Sequence, residues 1–229
     1  MDNAVALVET YLRLNGFFTL SEFQVQQSVP GRPGSYATAT DLDILAVRLP
    51  WAAESVAGVP QHPEAGRREI QLLSDPRLDL HSQMTELIIG EVKEGVGELN
   101  RALQTPDVLY TALRRAGCCP QEHIEDAVST LTRRGEYFLP PDLGLRCRVR
   151  LASFCGRIDP EMRQTAILTV TLGSIVAFIR DRFRTYAPVL RSAAFRDPVL
   201  GLLKLLDKLE IELRVPQVAA GRLTGGGRH

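Results

Sequence analysis

Little in this sequence is extreme, and each shortage closes off a class of protein. Lys plus Arg and Asp plus Glu both number 27, leaving no net charge at pH 7. That argues against coating nucleic acid by bulk charge, while a local basic cleft stays open. Cysteine is scarce: Cys118, Cys119, Cys147 and Cys155 show no Cys-x-x-Cys spacing. A zinc site is therefore not expected, and the thiols are expected to be reduced. No apolar run approaches the length that spans a bilayer. The N-terminus lacks the basic flank and apolar core of a signal peptide, so a cytoplasmic protein is expected. What is present is ordinary: 229 residues, 45% hydrophobic and 24% charged, suiting one sizeable globular domain.

Along the chain, Asp2-Asn3 caps a helix reaching about Leu14, with Val5, Val8 and Leu12 as its inner stripe and Gly16 as its stop. Glu9 lies on or beside that stripe, an unusual place for an acid. Phe17 to Gln27 reads as a strand, and Pro30–Gly34 as a turn. Thr40 to Leu49 is the next strand, with Asp41 and Asp43 sharing a face with Leu45 and Val47. Acids inside a strand oppose β propensity and call for compensation. Residues 50–85 carry scattered prolines and little periodicity, which predicts an irregular insertion with a short strand at Glu69–Leu73. His62 and His81 fall there, as solvated loop histidines.

Glu86 to Glu94 then delivers Glu91 and Lys93 on one face of an apolar strand, with Ile88, Gly90 and Val92 on the other. Helices follow from about Glu98, from Thr105-Pro106 to Arg115, and from Gln121 to Arg134. Leu145 to Phe154 alternates apolar residues with Arg146, Arg148 and Arg150. That face is either solvated or a stripe that tracks phosphates. A strand over Thr165–Leu172, a helix over Ser174–Tyr186 and a leucine-rich helix from Asp197 to about Leu209 complete the pattern. The leucine stripe suits core packing first and a homodimer helix second. No internal repeat is present.

Glu9 on a helix, Asp43 in one strand and Glu91-x-Lys93 in another, followed by a helix, resembles the PD-(D/E)xK nuclease superfamily. The likeness covers roughly the first 105 residues. It departs from the name motif where Leu42 stands before Asp43, and Asp41 competes as the strand acid. No Gln-x-x-x-Tyr follows Lys93. The resemblance implies a restriction-endonuclease-like α/β fold, a mixed central sheet flanked by helices. The nuclease-like core is expected at residues 1–140, with further strands and helices at 141–218 in the same domain or a subdomain. A flexible tail over 219–229 is expected.

The implied activity is metal-dependent hydrolysis of phosphodiester bonds, in DNA foremost. Its alternative is a catalytically degenerate module that binds nucleic acid or protein. The implied roles put Mg²⁺ or Mn²⁺ on Asp43 and Glu91, with the Val92 carbonyl as third ligand. Lys93 would orient or deprotonate the attacking water, and Glu9 would serve a second ion or its water. Arg146, Arg148 and Arg150 would contact nucleic acid.

Overall fold

The computed structural model describes residues 2–29, 31–52, 54–57, 69–97, 103, 105–158, 167–190 and 196–211. The helix expected from Glu98, His62 and the 219–229 tail lie outside these residues. In chain order the elements begin with helix α1 (Asn3–Leu14) and strands β1 (Phe18–Ser28) and β2 (Tyr36–Arg48). Two short strands, β3 (Glu54–Ala57) and β4 (Glu69–Leu72), pair only with each other inside the expected insertion. Then come β5 (Thr85–Val96), α2 (Pro106–Ala116), α3 (Ile124–Arg134), β6 (Glu136–Phe138) and β7 (Cys147–Arg157). The chain closes with β8 (Leu168–Thr171), α4 (Leu172–Thr185), α5 (Ala187–Leu190) and α6 (Pro198–Lys208).

Local chemistry accounts for several of these ends. The Asp2 carboxylate accepts the Ala4 N–H at 2.7 Å and starts α1, and Asp197 caps α6 through Val199 and Leu200. Gly117 and Gly135 stop α2 and α3 in the left-handed region, at φ 68° and 72°.

The main sheet is mixed and curled, in the order β1-β2-β5-β7-β6. The β1–β2 and β2–β5 pairs are antiparallel, while β5 and β7 are parallel. A parallel pair cannot be closed by a tight turn, and the α2–α3 hairpin supplies the crossover. β6 and β8 share the far edge of β7, β6 along Arg148–Arg150 and β8 along Ala152–Cys155. β7 and β8, both beyond residue 140, thus belong to the same sheet as β1, β2 and β5.

Helices cover both faces. α1, α4 and α6 enclose a core with Val8, Leu12, Ile44, Ile88, Phe154 and Ile179. α2 and α3 enclose a second core with Leu45, Ile89, Leu109, Leu113, Leu131 and Leu151. β5 is therefore buried from Glu86 to Val92 and β7 from Cys147 to Cys155, which takes their apolar residues and also Glu86, Glu91, Arg148 and Arg150 out of water. Each fully buried Leu or Ile contributes about 2 kcal/mol.

Three expectations need correction. β7 has no solvated basic face: Arg148 and Arg150 are buried, and only Arg146, just before the strand, is exposed. The leucine stripe of α6 is only partly core, since Leu203 is buried but Leu202, Leu205 and Leu209 are more than half exposed. β3 and β6 are strands where none was expected. Among the described residues, no helix is long and apolar enough to cross a membrane.

Candidate acidic site at a fork in the sheet

β2 and β5 pair from Arg48↔Glu86 to Ile44↔Gly90 and then separate. Beyond that point β2 continues beside β1, and β5 continues beside β7. One step past the last pair stand Asp43 and Glu91. The local chain is distorted there as well. Ile44 and Ala46 pack in the α1 core, yet Leu42 packs in the α2 core, so the alternation breaks across Asp43. Glu22, between the β1 residues paired with Leu42 and Ile44, has φ 53°.

At the fork a side chain replaces a strand. Asp43 Oδ2 accepts the Val92 N–H at 2.8 Å. The N–H and C=O of one strand residue point to the same side, so the Val92 carbonyl also opens toward the fork. Lys93 Nζ lies 2.8 Å from Glu91 Oε1, with the glutamate buried and the lysine partly exposed. Burial raises the pKa of both acids first. For Asp43 the Val92 N–H and Lys93 oppose that rise, while Asp2 and Asp41 add to it. For Glu91 the hydrogen bond to Lys93 opposes it, and Asp43 adds to it. Asp43, Glu91 and Lys93 thus form one interacting set, in which desolvation of the two acids outweighs the relief they receive.

The remaining candidates have other partners. Glu9 is buried on α1, where Oε1 accepts from Arg13 Nη2 at 2.9 Å and Thr19 Oγ1 at 3.0 Å. Arg13 also approaches Asp197 at 3.7 Å, and Thr10 donates to Asp197 at 2.9 Å, tying α1 to α6. The acid that looked like a border residue is the centre of a structural junction. Asp41 is exposed and faces Gln24 across the hairpin, acting on Asp43 through its charge.

Arg148 and Arg150 converge on Glu86, which is fully buried. Arg150 Nη2 meets Glu86 Oε2 at 3.1 Å, and Arg148 Nη1 lies 3.8 Å from Oε1. Arg148 also contacts Asp79 and Glu136, and Arg150 donates to the Leu78 carbonyl at 2.8 Å. Both guanidinium groups are buried against protein oxygens. His81 is exposed, as expected, and also reaches the same glutamate through its backbone N–H at 3.0 Å and its ring at 3.2 Å. Glu86 is the residue that sequence reasoning missed most plainly. Its signal was its parity with Ile88 and Val92, which placed it on a buried face.

Ser153 and Cys155 were also missed, and they stand beside Glu91 and Lys93 in the β5–β7 register. Both are buried under Gly97, where an added Cβ would come within 2.7 Å of Cys155 Sγ.

The donor set at the fork is two carboxylates and a backbone carbonyl, all hard oxygens suited to Mg²⁺ or Mn²⁺ with water completing the shell. Among the described residues, no three His, Cys, Asp or Glu side chains form a group able to hold a metal ion. An ion here would therefore rely on the carbonyl and water. No family model, curated protein or solved structure matches this chain.

Proposed function

We propose that the fork is the active site of a metal-dependent nuclease of restriction-endonuclease-like fold, hydrolysing phosphodiester bonds in DNA foremost. The observation that carries this reading is the meeting of Asp43, Glu91 and Lys93 where β2 and β5 part. Two partly desolvated acids side by side are what a divalent cation would relieve. The mixed sheet with helices on both faces fits the fold that the resemblance implies.

In this reading Asp43, Glu91 and the Val92 carbonyl hold Mg²⁺ or Mn²⁺. The ion would neutralise charge on the phosphoryl oxygens and acidify a water. Lys93, held by Glu91, orients that water and accepts or steadies its proton. Asp43 is fixed by the Val92 N–H, so its second oxygen is directed without rearrangement. Glu9, held by Arg13 and Thr19, anchors α1.

A second reading is favoured by one observation, the lack of a three-side-chain metal group among the described residues. The chain would then be a degenerate module of the same fold that binds nucleic acid or protein without cutting.

The test is a panel of duplex, branched and single-stranded DNA and RNA with Mg²⁺ or Mn²⁺. Cleavage by the native protein and none by Lys93→Ala is the expected result. All substrates intact under both ions would reject the enzyme and leave the binding module.

A further inference from the structure

β1 and β2 run on where their pairing with the rest of the sheet stops. After the last β2–β5 pair, Ile44↔Gly90, they continue together from Phe23↔Leu42 to Ser28↔Tyr36 as a two-stranded arm. At about 3.4 Å per residue, Phe23 to Ser28 spans about 17 Å. Backbone bonds close the tip: the Val29 N–H donates to the Ser35 carbonyl at 2.9 Å, and the Ser35 N–H to the Arg32 carbonyl at 3.1 Å. The Gln27 amide donates to Asp107 on α2 at 3.4 Å and braces the arm from one side.

What the arm carries is selective. From Phe23 to Thr40 it holds no acid, in a chain with 27 acids, and its one charge is Arg32 at the tip. Gln24, Gln26 and Ser28 are exposed on one strand, and Tyr36 to Ala39 on the other. A protein partner would call for exposed large apolar side chains, and among the described residues of the arm Tyr36 is the only one. A single strand would call for a row of rings to stack its bases, which Tyr36 alone does not make. Amides and hydroxyls with no carboxylate among them suit a surface of phosphates and base edges. We propose that the arm enters the major groove of duplex DNA beside the fork. Placing the phosphate chain at the fork rests on the nuclease reading, whereas the groove contact rests on the arm alone.

The major groove of B-form DNA is about 12 Å wide and admits a two-stranded ribbon, whereas the deep, narrow groove of duplex RNA does not. Gln24 and Gln26 carry the amide that pairs with the N6 and N7 edge of adenine, and Thr38 carries a hydroxyl that serves either base of a pair. Arg32 supplies a phosphate contact. The exposed acids Glu22 and Asp41 lie at the root, beside the proposed metal site, and not along the arm. With one arginine on the arm, binding depends only shallowly on salt.

The experiment is fluorescence anisotropy of the native full chain with one labelled mixed sequence, presented as DNA duplex, RNA duplex and DNA single strand, in Ca²⁺ and again in EDTA. Saturable binding is expected for the DNA duplex, with weaker binding of the other two. The double variant Gln24→Ala, Gln26→Ala should weaken duplex binding by about fivefold or more. Arg32→Ala should weaken it across sequences and lower the salt slope by about one. Arg134→Ala, an exposed charge in the last turn of α3, should change neither. All of these positions are exposed, and circular dichroism checks that each variant keeps the native fold. No saturable duplex binding by the folded native chain, equal binding of RNA duplex or single strand, or arm variants that bind as the native protein does would each overturn the inference. The same duplex with Mg²⁺ tests the nuclease reading separately. Duplex bound through the arm but left uncut rejects the enzyme and keeps the arm, while duplex cut with binding unaltered in the arm variants rejects the arm and keeps the enzyme.

Discussion

The Asp43 carboxylate bonds the Val92 N–H at 2.8 Å, from a strand that no longer pairs with the one carrying Val92. A side chain thereby fills the place that the next backbone carbonyl would have taken. The substitution leaves a carboxylate and a carbonyl facing one gap.

Asp43→Asn should retain the fold, because the amide oxygen can still accept the Val92 N–H. It should abolish any saturable Mn²⁺ heat, since the charge is lost. Titration calorimetry checks the heat, and far-UV circular dichroism checks the fold. Equal heats in both proteins would remove Asp43 from the metal site.

The pH dependence follows from the direction of two shifts. The folded pKa of Asp43 and of Glu91 lies above its ordinary value, 3.8 and 4.5 respectively. The folded state therefore holds these protons more tightly than the unfolded chain, and stability falls as pH rises through the folded values. The metal-free protein should lose this contribution between the ordinary carboxylate range and the raised pKa values. Mn²⁺ should raise Tm more at pH 8 than at pH 5, and Asp43→Asn should flatten the metal-free profile. A Tm difference independent of pH would contradict the assignment.

Glu86→Ala should cost about 3–5 kcal/mol, because it strands two buried guanidinium groups. Arg150 is already held below its ordinary pKa by burial, with Glu86 opposing that shift. Arg146→Ala, at an exposed position, should stay within about 0.5 kcal/mol. Urea denaturation separates the two outcomes.

At Gly90 an added Cβ would lie 2.9 Å from Phe154 Cε2, whereas at Gly95 it meets nothing within 4 Å. Gly90→Ala should therefore cost about 1–3 kcal/mol by overpacking. Gly95→Ala should be neutral in the same denaturation assay. Equal effects would mean that the β5–β7 contact yields easily.

Much of this architecture was legible because its signals are local. The Asp2 cap, Gly117 and Gly135 stops, and the alternation of β5 and of β2 from Ile44 onward need only near neighbours. Glu91 and Lys93 shared a face for the same reason. Glu9 was harder: its partner Arg13 stands four residues on, an available helical signal, but Thr19 comes from another element. Arg148 and Arg150 were misread because alternation tells which residues share a face, not what covers it. The glutamate that neutralises Arg150 is 64 residues away in the chain. The fork itself left no mark, since the point where two strands stop pairing depends on both.

The buried Glu86 cluster has a consequence at the other end of the strand. β5 and β7 bear apolar side chains on both faces, so burial alone discriminates weakly among their alignments. Sliding β7 by one residue would turn Arg148 and Arg150 into the core beneath α2 and α3. Sliding it by two would restore the face but carry the charges about 7 Å from Glu86. Only the native alignment neutralises them. The covalent distance from Glu86 to Glu91 is fixed, so this ion cluster acts as a ruler for the acidic end. It decides that Ser153 and Cys155, rather than their neighbours, stand beside Glu91 and Lys93.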